Sequence, residues 1–177
     1  MTPPRSVLFV IAPDKFRDEE LLHTRQVLEK AGAETLTVST RAGPAKGMLG
    51  HVEQVDLTLD DVAGRNFDAL VVVGGSGSPV ALWDNPRLRE TIQRHHALGK
   101  VVGAICLAGV ALARAGVLKG TPATVYKTDE TMAAYRECGV KFSEQPVVIS
   151  GNVITANGPA AARAFGQAIR DAVMAVK

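Results

Sequence analysis

Two hydrophobic periods alternate along this chain, and that alternation constrains its fold more than any other feature. SVLFVIA, residues 6–12, is apolar without interruption over the length of a strand. EELLHTRQVLEKAG then places Leu21, Leu22, Val27, Leu28 and Ala31 at helical spacing and closes at Gly32. The switch recurs downstream. AETLTVST reads as a second strand, and NFDALVVVGG as a third that ends in Gly74 and Gly75. NPRLRETIQRHHALGK is a helix with Pro86 near its start and Gly99 at its end, and KVVGAI is a strand that runs directly into Cys106. Strands that are apolar throughout, rather than at every second position, are buried on both faces, which requires a parallel sheet covered by helices. Residues 47–62 alternate as a short antiparallel excursion, and PVVISGNVITAN reads as a hairpin turning at Ser150, Gly151 and Asn152. GPAAARAFGQAIRDAVMAV supplies a closing helix. With no repeat, linker or low-complexity stretch, the expectation is one α/β domain over residues 1–177, doubly wound, with a mostly parallel sheet between helices.

Composition narrows the function classes. A chain of 177 residues with 46% hydrophobic and 21% charged residues is large enough for a continuous core. A net charge of +2 without clustered Lys and Arg argues against a nucleic-acid partner. The first apolar run is interrupted by Pro13 and Asp14 and is too short for a signal peptide or a membrane span. Two cysteines, Cys106 and Cys138, without CxxC spacing fit free thiols in a cytoplasmic protein. His, Cys and carboxylates nowhere adopt metal-ligand spacing, and GGSGSP lacks both the P-loop Lys and the GxGxxG order, so no metal and no cofactor is expected.

In open parallel sheets ligands bind beyond the carboxyl ends of the strands. Three such ends carry chemistry here: PDKFRDEEL after the first strand, Gly74-Gly75 after the third, and Cys106. A cysteine at a strand-to-helix turn meets amide donors and the partial positive charge of a helix N-terminus, both of which favour the thiolate. Ala108 and Gly109 let the following helix come close, and the amides of Leu107 and Gly75 are positioned to hold an oxyanion. Against this stands the simpler reading of Cys106 as a small buried hydrophobe. Asp18 and Glu19 suit an ordinary helix-capping role. His95 and His96 close a surface helix, where imidazolium suits the helix dipole, and Cys138 reads as a packing cysteine. His23 lies three residues past Glu20 and could reach the site, although an ordinary helix position is the simpler reading, and His51 lies in the excursion, from which a dimer partner could contribute it; neither is assigned a role.

AICLAG with VALARAGVLKG, FDALVVVGG, FRDEEL, VDLTLDDV and GNVITANGPAAARAF occur together, in an order and spacing that resemble the ThiJ/PfpI superfamily over nearly the whole chain. The resemblance implies a flavodoxin-like, usually dimeric fold with one reactive cysteine at the elbow, Cys106, and an acidic partner that aligns with Glu20. Beside a thiolate such a carboxyl holds its proton and donates a hydrogen bond, because two contacting negative charges are costly. The departures are informative. Protease-like members carry a His directly after the cysteine, where this chain has Leu107, so a PfpI-type Cys-His peptidase is disfavoured. Other members use a His from the loop after the next strand, where this chain offers Tyr126. The resemblance therefore implies a cofactor-independent glyoxalase or deglycase acting on small reactive carbonyls. The alternative is a redox-sensing or stress-response protein whose Cys106 is oxidised to a sulfinate. The expected partners are a small carbonyl compound or oxidant and a second copy of the chain.

Overall fold

The computed structural model describes residues 2–175. The first half of the chain forms β1 (Ser6–Val10), β2 (Asp14–Phe16), α1 (Asp18–Lys30), β3 (Glu34–Val38), β4 (Gly43–Gly47), β5 (Val52–Val55) and β6 (Ala69–Val72). Next come α2 (Ser78–Ala81), α3 (Pro86–Ala97), β7 (Val101–Ile105), α4 (Gly109–Arg114), β8 (Pro122–Ala123) and α5 (Asp129–Glu137). The chain closes with β9 (Lys141–Phe142), β10 (Val147–Ser150), β11 (Val153–Ala156) and α6 (Ala162–Ala175).

The main sheet has the order β10-β11-β7-β6-β1-β3, and all its pairings are parallel except the edge hairpin of β10 with β11. Val7 to Val10 are wholly buried because successive side chains enter opposite layers. Val7 and Phe9 join Leu21, Leu28, Phe165 and Ile169 under α1 and α6. Leu8 and Val10 join Leu88, Ile92, Leu112 and Tyr135 under α3, α4 and α5. The continuous apolar strands therefore do lie between two helical layers. The architecture is α/β, doubly wound and mostly parallel.

The register puts Val10 beside Val72 and Val72 beside Ala104, so β1, β6 and β7 end level with one another. From β1 the chain turns to one side to make β3 and later to the other to make β6, so the loops leaving these strands diverge around a crevice. Glycines set how closely helices approach it. A Cβ on Gly103 of β7 would press on Phe165 and Ile169 of α6, and one on Gly166 would lie 3.2 Å from the Thr24 carbonyl of α1.

Several local expectations shift. The excursion expected at 47–62 is the β4–β5 hairpin, displaced toward the N-terminus, and it pairs with β2 in a separate three-stranded sheet. GPAKG, with two glycines and a proline, carries no strand signal, and its pairing with β2 and β5 makes it one. The β10–β11 hairpin pairs Ser150 with Val153, so its loop is Gly151 and Asn152, with Gly151 at φ +60°. His95 is the sharper correction. It is fully buried under α3, where Nδ1–H donates to the Thr91 carbonyl at 2.8 Å and Nε2 accepts the Phe67 amide at 3.0 Å. Burial lowers its pKa, so it is a neutral core residue and not a surface imidazolium.

Candidate active site

Every residue of β7 is buried, and the strand delivers Cys106 at φ +61°, a left-handed conformation that non-glycine residues rarely adopt. This reverses the chain through a 3₁₀ turn, Cys106–Ala108, into α4. Gly109 allows the tight turn because a Cβ there would run into the Tyr135 hydroxyl, which donates to the Thr124 carbonyl at 2.7 Å. The Leu107 carbonyl is fixed from the other side by the Trp83 indole N–H at 2.8 Å. Strain held in place by packing on both sides is a common property of reactive elbows.

Glu20 reaches the cysteine from the first turn of α1 and is fully buried. Its Oε1 accepts the Gly74 amide at 3.0 Å, while Oε2 has no nitrogen or oxygen partner and the carboxyl faces the thiol. Gly74 leaves the gap in which they meet, since a Cβ there would lie 2.6 Å from Glu20 Oε1 and 2.8 Å from Cys106 Cβ. Gly75, at φ +107°, turns its backbone N–H toward the sulfur, and the Leu107 N–H does the same from the elbow. The two amides expected to form an oxyanion hole thus converge on Cys106.

The ionisation balance differs from the sequence expectation. Burial pushes the Glu20 carboxyl up to about 8, against the lowering effect of its contacts with Cys106 and the Gly74 amide. Burial likewise pushes the Cys106 thiol up, and charge on Glu20 pushes it further, while the Leu107 and Gly75 amides pull it down. A three-residue 3₁₀ turn followed by a six-residue helix brings little dipole to bear, so desolvation wins over the helix terminus. At neutral pH the pair keeps its protons: Glu20 is a carboxylic acid, able to donate to the sulfur when Cys106 ionises.

The remaining candidates separate. Tyr126 lies beside the elbow, its N–H donating to the Cys106 carbonyl at 3.3 Å and its own carbonyl accepting from Thr131 Oγ1 at 2.7 Å. Its ring is 49% exposed and lines a cavity of about 360 Å³ with Phe142, Asn157 and Pro159. His23 lines a second cavity with Arg17 and Arg163. His51 bonds Glu53 at 2.9 Å, and Glu53 is also held bidentately by Arg25. Asp18 is no cap. Buried at the head of α1, it accepts the Leu49 and His51 amides at 2.9 and 2.8 Å and ties down the β4–β5 loop. Cys138, half buried at the end of α5, packs against the core. Among the described residues no three of His, Cys, Asp and Glu gather as metal ligands.

Sequence reading missed Trp83 and Arg17. A lone Trp at the end of the short apolar run VALW has no signal for the carbonyl it will hold. Arg17, next to the acidic run, could have been noted. Its backbone N–H donates to the Gly74 carbonyl at 3.0 Å, and its guanidinium forks onto Glu19.

The family model for DJ-1/PfpI proteins matches residues 5–172. The chain belongs to the DJ-1/PfpI family. An uncharacterised protein of Methanocaldococcus jannaschii is 45% identical over 94% of this chain and 82% of its own length. A Pyrococcus furiosus protein named deglycase PfpI is 34% identical over 86% of this chain and 90% of its own. Among solved structures, a ThiJ/PfpI domain protein from Brachyspira murdochii superposes with a TM-score of 0.93 at 30% identity, covering 99% of this chain and all of that one. In this DJ-1/PfpI chain, Glu20 from the first turn of α1 meets Cys106 and the Gly74-Gly75 turn at the ends of β7 and β6.

Proposed function

We propose that this DJ-1/PfpI protein is a cofactor-independent glyoxalase or deglycase-like enzyme that uses Cys106 on small reactive carbonyl compounds. The observation that carries the reading is a cysteine in the left-handed region with two backbone amides on its sulfur and a fully buried carboxyl beside it. Sγ adds to the aldehyde carbon of an α-oxoaldehyde while its proton passes through Glu20 to the substrate oxygen, forming a hemithioacetal. As the carbonyl oxygen gains charge, the Gly75 and Leu107 amides stabilise it. Acting as a proton relay, Glu20 takes the carbinol C–H proton while protonating the neighbouring ketone oxygen to give an enediol. It then takes the proton of the hydroxyl on the sulfur-bearing carbon while protonating the neighbouring carbon, which leaves a thioester that water cleaves. The net change is α-oxoaldehyde plus water to α-hydroxy acid, with the thiol restored. His51 is paired with Glu53, His95 is buried against the Phe67 amide, and Leu107 follows the cysteine directly, which disfavours a Cys-His peptidase dyad.

The experiment is consumption of methylglyoxal with formation of lactate, which Cys106→Ser should abolish. A wild-type protein that leaves methylglyoxal untouched sinks the reading for that substrate class.

The unpartnered Oε2 of Glu20 favours a second reading, in which peroxide oxidises Cys106 to a sulfinate held by Glu20 and the two amides. A stable gain of two oxygens confined to Cys106 after mild peroxide, without aldehyde turnover, supports it. Oxidation spread to Cys138 counts against it. Met48, Leu49 and Val52 are exposed on and beside the β4–β5 turn, and a second copy of the chain is the partner we propose for them. Light scattering that finds only monomer rejects that dimer.

A further inference from the structure

We infer that the cavity lined by Arg17, His23 and Arg163 receives an anionic group, so that the preferred ligand of Cys106 is a reactive carbonyl compound carrying a carboxylate or a phosphate. The carbonyl half of this inference rests on the function proposed above; the anion half rests on geometry alone.

The cavity encloses about 610 Å³ between Arg17, Glu19, His23, Pro159, Ala160 and Arg163. It shares Pro159 and Ala160 with the cavity beside Tyr126, so the two flank the same turn at the head of α6. Arg17 is fixed relative to the cysteine: its N–H bonds the Gly74 carbonyl, and its guanidinium feels charge on Glu20 and Cys106. Glu19 occupies Nε and Nη2 of Arg17 at 3.0 Å each, which leaves Nη1 unused. Arg163 is the less compensated cation. Among the described residues it meets no carboxylate, and its one bond runs from Nη1 to the Gln26 amide oxygen at 3.2 Å. It also stands in the first turn of α6, where no acidic residue accompanies it and the helix dipole disfavours a positive charge. Two guanidiniums and an imidazole thus line, with one carboxylate, a solvent-open space whose Arg17 also feels charge on Cys106. A planar anion suits the Nε–Nη2 edge of Arg163, which the bond to Gln26 leaves free.

The test compares two alkylating reagents with one warhead, anionic iodoacetate and neutral iodoacetamide, with modification read by mass at Cys106. Their rate ratio is normalised to the same ratio for 2-mercaptoethanol. We expect iodoacetate to be favoured about tenfold, as for a unit charge held a few ångströms from partly exposed guanidiniums. Arg163→Gln and Arg17→Gln should each lower the ratio, Arg163→Lys, which keeps the charge but loses the fork, should give a value between wild type and Gln, and about 0.5 M salt should collapse it in the wild type. A normalised ratio near one, or one that neither salt nor the variants move, overturns the anion site. Protection of Cys106 by glyoxylate over glyoxal identifies a carboxylate, and by glyceraldehyde 3-phosphate over glyceraldehyde a phosphate. Methylglyoxal turnover with a ratio near one rejects the anion site alone. A high ratio with no carbonyl consumed rejects the carbonyl chemistry alone.

Discussion

At the scale of single residues, Cys106 and Glu20 act as one unit because each changes the charge the other can carry. Glu20 is neutral until about pH 8, and above that its charge opposes formation of the thiolate. The alkylation rate of wild-type Cys106 should therefore climb with pH less steeply beyond about 8, whereas Glu20→Gln, with no charge to gain, should climb without that bend. Iodoacetamide kinetics from pH 6 to 10 measure this directly, and superimposable profiles would remove Glu20 from the site. Glu20→Asp is the complementary case. Shortening the side chain withdraws the carboxyl from the sulfur, and losing a charge-assisted hydrogen bond of about 1.5–3 kcal/mol should slow thiol reactivity by about tenfold or more at a fixed pH. An unchanged rate in Glu20→Asp would mean that the two backbone amides suffice.

At the scale of elements, the site depends on how the β1–α1 connection is held. Asp18 spends both carboxylate oxygens on amides of the β4–β5 loop, and Gly47 packs directly on its carboxylate. That contact joins the small β2-β4-β5 sheet to the head of α1, two residues from Glu20. Replacing Asp18 with Ala leaves two amides without partners and should cost about 2–3 kcal/mol. Hydrogen exchange should speed up at Leu49 and His51 before it changes in β1, β6 or β7. Equal protection in both proteins would show that the loop is held by other contacts. At α4, Gly109→Ala forces a methyl group into the Tyr135 hydroxyl, and we expect a loss of thermal stability that Tyr135→Phe partly relieves. No rescue in the double variant would place the strain elsewhere in the elbow.

At the scale of the whole molecule, two buried groups give stability opposite slopes with pH. Glu20 has a folded pKa of about 8 against an ordinary 4.5, so the folded state binds the extra proton between those values. Its contribution is fully favourable below about pH 4.5 and is lost as pH rises toward 8, a cost of about 3 kcal/mol at pH 7. His95 works the other way. With its folded pKa lowered from 6.5, the unfolded state binds the extra proton, and stability falls as pH drops below 6.5. Glu20→Gln should therefore raise the melting temperature at pH 7 but not at pH 4. His95→Gln should flatten the decline between pH 6.5 and 5, although it lowers stability overall. Scanning calorimetry across this range measures both slopes, and parallel curves for wild type and variants would contradict them.

The sequence by itself determined the layered α/β architecture, because strands apolar at every position can be buried only between two helical layers. Such runs as SVLFVIA and KVVGAI announce their burial without reference to any partner. Chain order and turn residues also singled out Cys106, Gly75 and Leu107 at strand ends as candidates, while Glu20, in the first turn of α1, entered only through the resemblance to the family. Tertiary structure alone decided the rest. Whether Cys106 is activated or suppressed depends on a balance between desolvation and two amides, and neither burial depth nor amide direction is encoded locally. His95 looks like a surface helix residue until packing of α3 on the sheet buries it against the Phe67 amide. Asp18 looks like a cap until the β4–β5 loop presents the amides of Leu49 and His51, 31 and 33 residues away. GPAKG becomes a strand only because β2 and β5 offer their edges. Trp83, Arg17 and Arg163 acquire roles solely through what the fold sets beside them, since a side chain's partner across long sequence separation leaves no trace in its own neighbourhood.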